Sequence, residues 1–155
     1  MAFESYVPHR IRSLGISNCT LSLFKELSSQ VTIKPAVVQN RFYSATQFDV
    51  PFRAFCRDHH ILYQSFWTLT ANPDLVRSDA VQHLAAHADI SPAAALYCLV
   101  MSLKNTVVLN GTSNRDHMMA DLAAPKKVER LVQEQPELWR KLMHVFQEFI
   151  SDHVP

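Results

Sequence analysis

The chain has very little glycine: only Gly15 and Gly111 in 155 residues. They are far apart, so a Gly-rich phosphate loop of the Walker or Rossmann kind is excluded. It has three cysteines, Cys19, Cys56 and Cys98, an odd number with no Cys-x-x-Cys spacing. A disulfide framework is not expected, and a reduced, intracellular, cytoplasmic setting is. It lacks an excess of either charge, with a formal net charge of +1. No global field therefore argues for a nucleic-acid or membrane partner, and Lys126-Lys127 reads as a solvated helix start. No apolar run approaches the ~18 residues of a membrane span. The start Met1-Ala2-Phe3-Glu4 has neither a charged n-region nor an apolar h-region, so no signal peptide is expected.

What is present is a globular composition. With 48% apolar and 19% charged residues, one domain over residues 1–155 with a real core is expected. Four short apolar runs cover residues 11–16, 36–38, 61–63 and 106–109. Each ends in a polar cluster: Ser17-Asn18, Gln39-Asn40-Arg41, Gln64-Ser65-Phe66-Trp67 and Asn110-Gly111-Thr112-Ser113. A helical pattern follows each cluster. This predicts an α/β fold of four parallel strand–helix units plus C-terminal helices, half of an eight-unit barrel. Right-handed crossovers put all four strand C-termini on one face. Ser17, Asn18, Gln39, Asn40, Phe66, Trp67, Asn110 and Thr112 are therefore expected to lie near one another.

The helices read as follows. Residues 1–10 form a lead-in with little structure. Leu21, Phe24 and Leu27 follow helical spacing, and Lys34-Pro35 ends that connection. Asp49-Val50-Pro51 predicts a helix start with Asp49 as N-cap, and Phe52, Phe55 and Cys56 face one way. Residues 70–77 read as a loop, and Ser78 or Asp79 caps a helix carrying Val81, Leu84, Ala85 and Ala88 on one stripe. Ser91-Pro92 starts another, with Leu96, Leu99, Val100 and Leu103 together. A helix is predicted near residues 115–123. Two tail patterns separate near Pro136, the last with the stripe Leu138, Leu142, Val145 and Phe149 packed on the body.

The strand-end cluster is rich in amides, hydroxyls and aromatics. Asn18 and Gln39 each offer donor and acceptor, which suits a carboxamide or carbonyl group. Phe66 or Trp67 can stack on a flat ring. Gly111 lets backbone N–H groups approach a phosphate, and a helix start near Asn114 adds a positive dipole end. Together these read as a nucleotide-binding surface without a catalytic acid or base. The same residues also suit ordinary strand ends and helix caps, and residue type alone does not choose.

Four ordered segments carry a resemblance. Ile11-Arg12-Ser13-Leu14-Gly15-Ile16-Ser17-Asn18 resembles the fifth strand of the aldo-keto reductase family, which ends in Gly-(Ile/Val)-Ser-Asn. KPAVVQNRFY, ending at Tyr43, looks like the sixth strand. FCRDHHILYQSFWTL, ending at Leu69, looks like the preceding helix and seventh strand. VVLNGTSNRDHMMADL, ending at Leu122, looks like the eighth strand and its nucleotide loop. The last two are similar to fungal members. The resemblance implies the C-terminal half of a reductase barrel and NADP or NAD as cofactor. It implies that Ser17, Asn18 and Gln39 hold the nicotinamide carboxamide and that Phe66 stacks on the nicotinamide. Trp67 and Leu69 follow along the pyrophosphate path. Asn110, Gly111, Thr112 and Ser113 cradle the adenosine phosphate. His117 falls where many members carry an arginine for the 2′-phosphate, and Asp121 near the residue contacting adenine. The basic loop lysine of many members has no counterpart beside Asn110 and Gly111.

The family's catalytic Asp, Tyr, Lys and His come from the first four strands, which these segments do not include. Tyr43, Tyr63 and Tyr97 do not sit in its catalytic tyrosine motif, so no catalytic residue is assigned. The adjacent pair His59-His60 cannot easily aim both rings at one ion, and no metal site is expected. The expected function is an aldo-keto-reductase-like oxidoreductase half barrel, acting on a small carbonyl compound or metabolite with impaired redox activity alone. Two alternatives stand beside it. One is a repurposed isomerase, cyclase or dehydratase of small-molecule biosynthesis, with Arg41, Tyr43, Cys19 and His117 as acid, base or anion-binding candidates. The other is a catalytically dead binding protein.

Four strands that curl leave two open edges, and an apolar inner face is expected. Open edges template pairing. A homodimer that closes eight strands is the simplest expectation, with a complementary half-barrel chain as second choice. Light scattering at micromolar concentration should give twice the chain mass; a monomer contradicts the homodimer.

Overall fold

Strands and helices alternate in the computed structural model, which describes residues 2–151. Met1, the first residue of the expected lead-in, lies outside the described residues. The strands are β1 (Gly15–Ser17), β2 (Val37–Arg41), β3 (Leu62–Phe66) and β4 (Thr106–Val108). They form one parallel sheet in the order β1-β2-β3-β4. Helix α1 (Leu21–Gln30) joins β1 to β2, and α2 (Val50–Asp58) joins β2 to β3. Three helices, α3 (Pro73–Val76), α4 (Asp79–Ala88) and α5 (Pro92–Met101), lie between β3 and β4. After β4 come α6 (Arg115–Glu134) and α7 (Pro136–Phe149). A short 3-10 turn at Glu4–Tyr6 precedes β1, and the Glu4 carboxylate accepts the backbone N–H groups of Thr32 and Ile33 at 2.8 Å each.

The strands do not lie quite where the apolar runs suggest. β2 and β3 extend through Gln39-Asn40-Arg41 and Gln64-Ser65-Phe66, so these polar clusters belong to the strands themselves. β1 begins only at Gly15, where a Cβ would come within 3.1 Å of the Val37 carbonyl oxygen. Strand alternation then sorts every side chain. Val38, Asn40, Tyr63 and Ser65 are buried under the helices. Gln39, Arg41, Gln64 and Phe66 are only half-buried on the opposite, inner face. The inner face is therefore mixed, not apolar as expected, because glutamine and arginine occupy its upper register positions.

Two cores hold the helices to the sheet. The smaller joins Phe24 of α1 and Phe52 and Cys56 of α2 to Val38, Ile61 and Tyr63. The Phe24 and Phe52 rings meet at 5.4 Å. The larger is built around α5, which is buried from Ala94 to Val100, and it takes Val81 and Leu84 from α4, Val128 and Leu131 from α6, and Leu142 and Phe146 from α7. Burying such a leucine or phenylalanine stabilises by roughly 1.5–3 kcal/mol. No single helix among the described residues is long and apolar enough to cross a membrane.

Several local expectations change. Residues 73–76 of the expected loop form α3. The helix expected near 115–123 runs on to Glu134 through Pro125, although that proline cannot donate to the Asp121 carbonyl. Burial of Ala124, Val128 and Leu131 holds it helical. Leu142 and Phe146 on α7 and Ile150 just after it face the core, while Val145 and Phe149 sit on the exposed edge of the helix. Asp49 precedes α2 but makes no capping bond; its φ of 52° and its carboxylate serve another purpose, described below.

All three cysteines are free and buried. Burial pushes the Cys56 thiol up to about 12, with Cys19 and Asp49 adding to the effect. Burial, then Asp121, pushes Cys98 up to about 11. Burial, then Asp49, raises Cys19. The folded chain thus keeps protons that an unfolded chain releases above about pH 8.5. From there upward the unfolded state binds fewer protons, so stability falls with pH by at most about 1.4 kcal/mol per unit for each thiol. Urea unfolding should show this decline between pH 8.5 and 10.5 and a reduced slope in Cys98→Ala. Undiminished stability at pH 10.5 contradicts it.

Candidate functional site

One buried asparagine sets the shape of the strand ends. Asn40 Oδ1 accepts the Cys19 N–H at 3.1 Å, and Asn40 Nδ2 donates to the Cys19 carbonyl at 2.8 Å. The same Nδ2 donates to Asp49 Oδ2 at 2.9 Å, which also accepts the Tyr63 hydroxyl at 2.8 Å. Burial, reinforced by the Asp49 charge and hydrogen bond, drives the Tyr63 phenol far above its ordinary range. This clamp ties the β1 end, β2, the start of α2 and β3 together. It also holds Gln47, Phe48 and Asp49, three consecutive non-glycine residues with φ near 51°. Each such residue costs about 1 kcal/mol, which the clamp and the buried Phe48 ring offset. Asn40 is thus buried toward the helices, and it lines a pocket of about 460 Å³ at the strand ends with Asn18, Arg41 and Asp49. Ser65 is buried too, sharing a short hydrogen bond with Thr68.

The inner face carries the other amides. Ser17 pairs in register with Gln39, and Gln39 with Gln64. Gln39 Nε2 donates to Gln64 Oε1 at 3.1 Å. Asn18, at φ 54°, continues the ladder by donating its N–H to the Gln39 carbonyl, and its Nδ2 donates to Ser17 Oγ at 3.1 Å. Ser17, Asn18 and Gln39 are therefore neighbours at the β1–β2 end. One register step higher, Arg41 pairs with Phe66. Its guanidinium lies 5.8 Å from the Phe66 ring centre and 4.6 Å from that of Trp67. Trp67, at φ 58°, is 52% exposed, and Tyr43 meets its ring edge-on.

From Phe66 and Trp67 an open cleft of about 710 Å³ runs to the β4 end. Leu69, Tyr97, Asn110, Gly111, Thr112, His117 and Asp121 line it. The loop is shaped by its own side chains. Asn110 Oδ1 accepts the Thr112 N–H at 2.9 Å, and Asn110 Nδ2 donates to Asp121 Oδ2 at 2.6 Å. A Cβ on Gly111 would meet nothing within 4 Å, so the loop stands clear of the body there. Asn114 caps α6, its Oδ1 accepting the N–H groups of Asp116 and His117. Those two donors are thus engaged, which weakens the expected anion site at this helix start. Ser113 is exposed and does not line the cleft. Eight of the twelve expected site residues border the cleft; Ser17, Asn18 and Gln39 form the neighbouring amide group, and Ser113 stands apart.

The cleft has a distinct electrostatic character. Among the described residues no lysine or arginine lines it, and Asp121 is its one carboxylate. Burial, then the Asp121 charge, raises the Tyr97 phenol above its ordinary value. Sequence reasoning missed Gln64 and Tyr97. Gln64 was accessible through the alternation Leu62, Gln64, Phe66; Tyr97 sits in an almost uniformly apolar helix that gives no periodic signal. Cys19 is buried and held through its backbone, and the His59 ring is stacked on Phe55 at 3.9 Å.

Comparison with known proteins adds to this. No protein-family model and no curated protein sequence matches the chain. Solved structures do. A thermostable aldo-keto reductase in complex with the inhibitor epalrestat matches 93% of this chain and 52% of its own, with a TM-score of 0.73 and 15% identity. Aldose reductase from Giardia lamblia matches 81% of this chain and 43% of its own, with a TM-score of 0.63 and 20% identity. An aldo-keto reductase complexed with NADPH matches 84% and 44%, with a TM-score of 0.62 and 13% identity. The fold is that of part of an aldo-keto reductase barrel. The chain spans about half the length of these structures.

The clamp is open to a direct test. Asn40→Ala leaves Cys19 and Asp49 without their partner and should destabilise the protein by about 2–4 kcal/mol in urea unfolding. Tyr63→Phe, which removes one hydroxyl from Asp49, should cost about 1–3 kcal/mol. Changes below 0.5 kcal/mol in both contradict the clamp.

Proposed function

We propose that the C-terminal edge of the sheet binds a nicotinamide dinucleotide and that the chain supplies the cofactor-binding part of an oxidoreductase acting on a small carbonyl compound. The observation that carries this reading is a row of register pairs. Ser17 pairs with Gln39 and Arg41 with Phe66 at the strand ends, and Phe66 and Trp67 border the cleft lined by Asn110, Gly111, Thr112 and Asp121. Amides at one end, a ring in the middle and a cleft within the usual 300–1,000 Å³ of ligand sites match the parts of a dinucleotide in order. The likeness in fold to an aldo-keto reductase complexed with NADPH supports the same reading.

In this reading Gln39 and Asn18 orient the carboxamide, and Phe66 presents a ring face to the nicotinamide. The Asn110–Asp121 hydrogen bond holds the loop over the adenosine end. The bound group supplies the hydride chemistry; the residues here bind and orient it. The residues fit the dinucleotide at its ring end and in cleft size. Among the described residues no lysine or arginine lines the cleft to meet a 2′-phosphate, and Asp121 carries a carboxylate there. The cleft therefore suits NADH at least as well as NADPH.

Titrations of NADH and NADPH followed by cofactor fluorescence test this. Saturable binding is expected, with NADPH no tighter than NADH. Phe66→Ala should weaken it by about 1–3 kcal/mol. No saturation at millimolar concentration of either cofactor removes the proposal, and an unchanged affinity in Phe66→Ala removes Phe66 from the site.

A further inference from the structure

Arg41 is a cation without a counterion at the mouth of the inner sheet face. Among the described residues it makes no ion pair, and its Nε is buried with no hydrogen-bond partner. The Asp49 carboxylate borders the same pocket of about 460 Å³ but makes no ion pair with it, and its Oδ2 takes the bonds from Asn40 and Tyr63. The guanidinium is not free to swing either. It lies 4.6 Å over Trp67 and 5.8 Å from Phe66, and Tyr43 braces Trp67 from the side. Aromatic contact fixes the plane of a guanidinium and leaves its N–H edges for a partner in that plane. Arg41 borders that pocket with Asn18, Gln47 and Asp49, which gives such a partner room.

We infer that Arg41 is an oxyanion-binding residue, taking a carboxylate or phosphate group through its guanidinium in the pocket it borders. This chemistry follows from the fork geometry, in which two parallel N–H groups match two oxygens. Arg41 stands two residues beyond Gln39 on the same face. A ligand whose amide or carbonyl group reaches Gln39 therefore places its next substituent at Arg41. That oxyanion has two possible sources: the pyrophosphate of the dinucleotide, or the acidic group of a second, smaller ligand. The inference rests on the inner face being a ligand-binding face, and not on the ligand being a dinucleotide.

Nuclear magnetic resonance of the arginine Nε–H groups in the unmutated protein tests it. Malonate, inorganic pyrophosphate and NADH are titrated separately against chloride at equal ionic strength. The Arg41 signal should shift saturably with at least one oxyanion and not with chloride. A shift with pyrophosphate and NADH assigns the dinucleotide as the source; a shift with malonate alone assigns a separate acidic ligand. Arg41→Lys keeps the charge but loses the fork, and should weaken the responding anion about tenfold. A thermal melt confirms that the variant folds. An Arg41 signal indifferent to all three probes, or equal affinity in a folded Arg41→Lys, overturns the inference. Loss of NADH binding with a persisting malonate response would remove the dinucleotide reading and leave this one standing.

Discussion

The hydrogen bonds of Asn40 are the constraint on which the strand ends depend. A single buried side chain accepts from and donates to the backbone of Cys19 and donates to Asp49, which in turn holds Tyr63. In a protein interior such a network is decisive because each unpaired member would cost its full desolvation. It fixes where the chain leaves β1 and how it enters α2. It also holds the left-handed run from Gln47 to Asp49, which no glycine relieves.

Because Asn40 is committed to the helix side, strand alternation commits Gln39 and Arg41 to the inner face. The same holds on β3, where the buried Ser65 and Tyr63 leave Gln64 and Phe66 facing inward. Parallel register then sets these residues in rows: Ser17, Gln39 and Gln64 below, Arg41 and Phe66 above. The polar inner surface is thus a consequence of the buried network, not a separate feature. The cleft beyond it depends on a second local device, the Asn110 side chain, which bonds both its own loop and Asp121 on α6.

The parallel α/β order was legible in the sequence because four apolar runs with helical patterns between them leave few topologies. The helices carrying Val81, Leu84 and Leu96, Leu99 were equally clear from spacing. The strand limits were not, since Gln39 to Arg41 and Gln64 to Phe66 look like loop residues until ladder pairing shows them as strand. Asp49 illustrates the same limit. Its position before Val50-Pro51 signals an N-cap, yet tertiary hydrogen bonds from Asn40 and Tyr63 claim its carboxylate. Pro125 lacks the N–H that a helix interior needs, and burial of Ala124 and Val128 overrides it. At the site, the aromatic and amide groups were legible as residue types. Which face each one occupies was not, because Asn40 and Gln39 are equivalent until the register is known.

We propose that the inner amides, the Phe66–Trp67 pair and the β4 cleft form one dinucleotide site. Backbone amide chemical-shift mapping with NADH tests it most directly, since it needs no mutation and no turnover. A contiguous set of shifts at Asn18, Gln39, Phe66, Trp67, Gly111 and Asp121, saturating together, is expected. Shifts confined to other surfaces, or none at millimolar NADH, would contradict it.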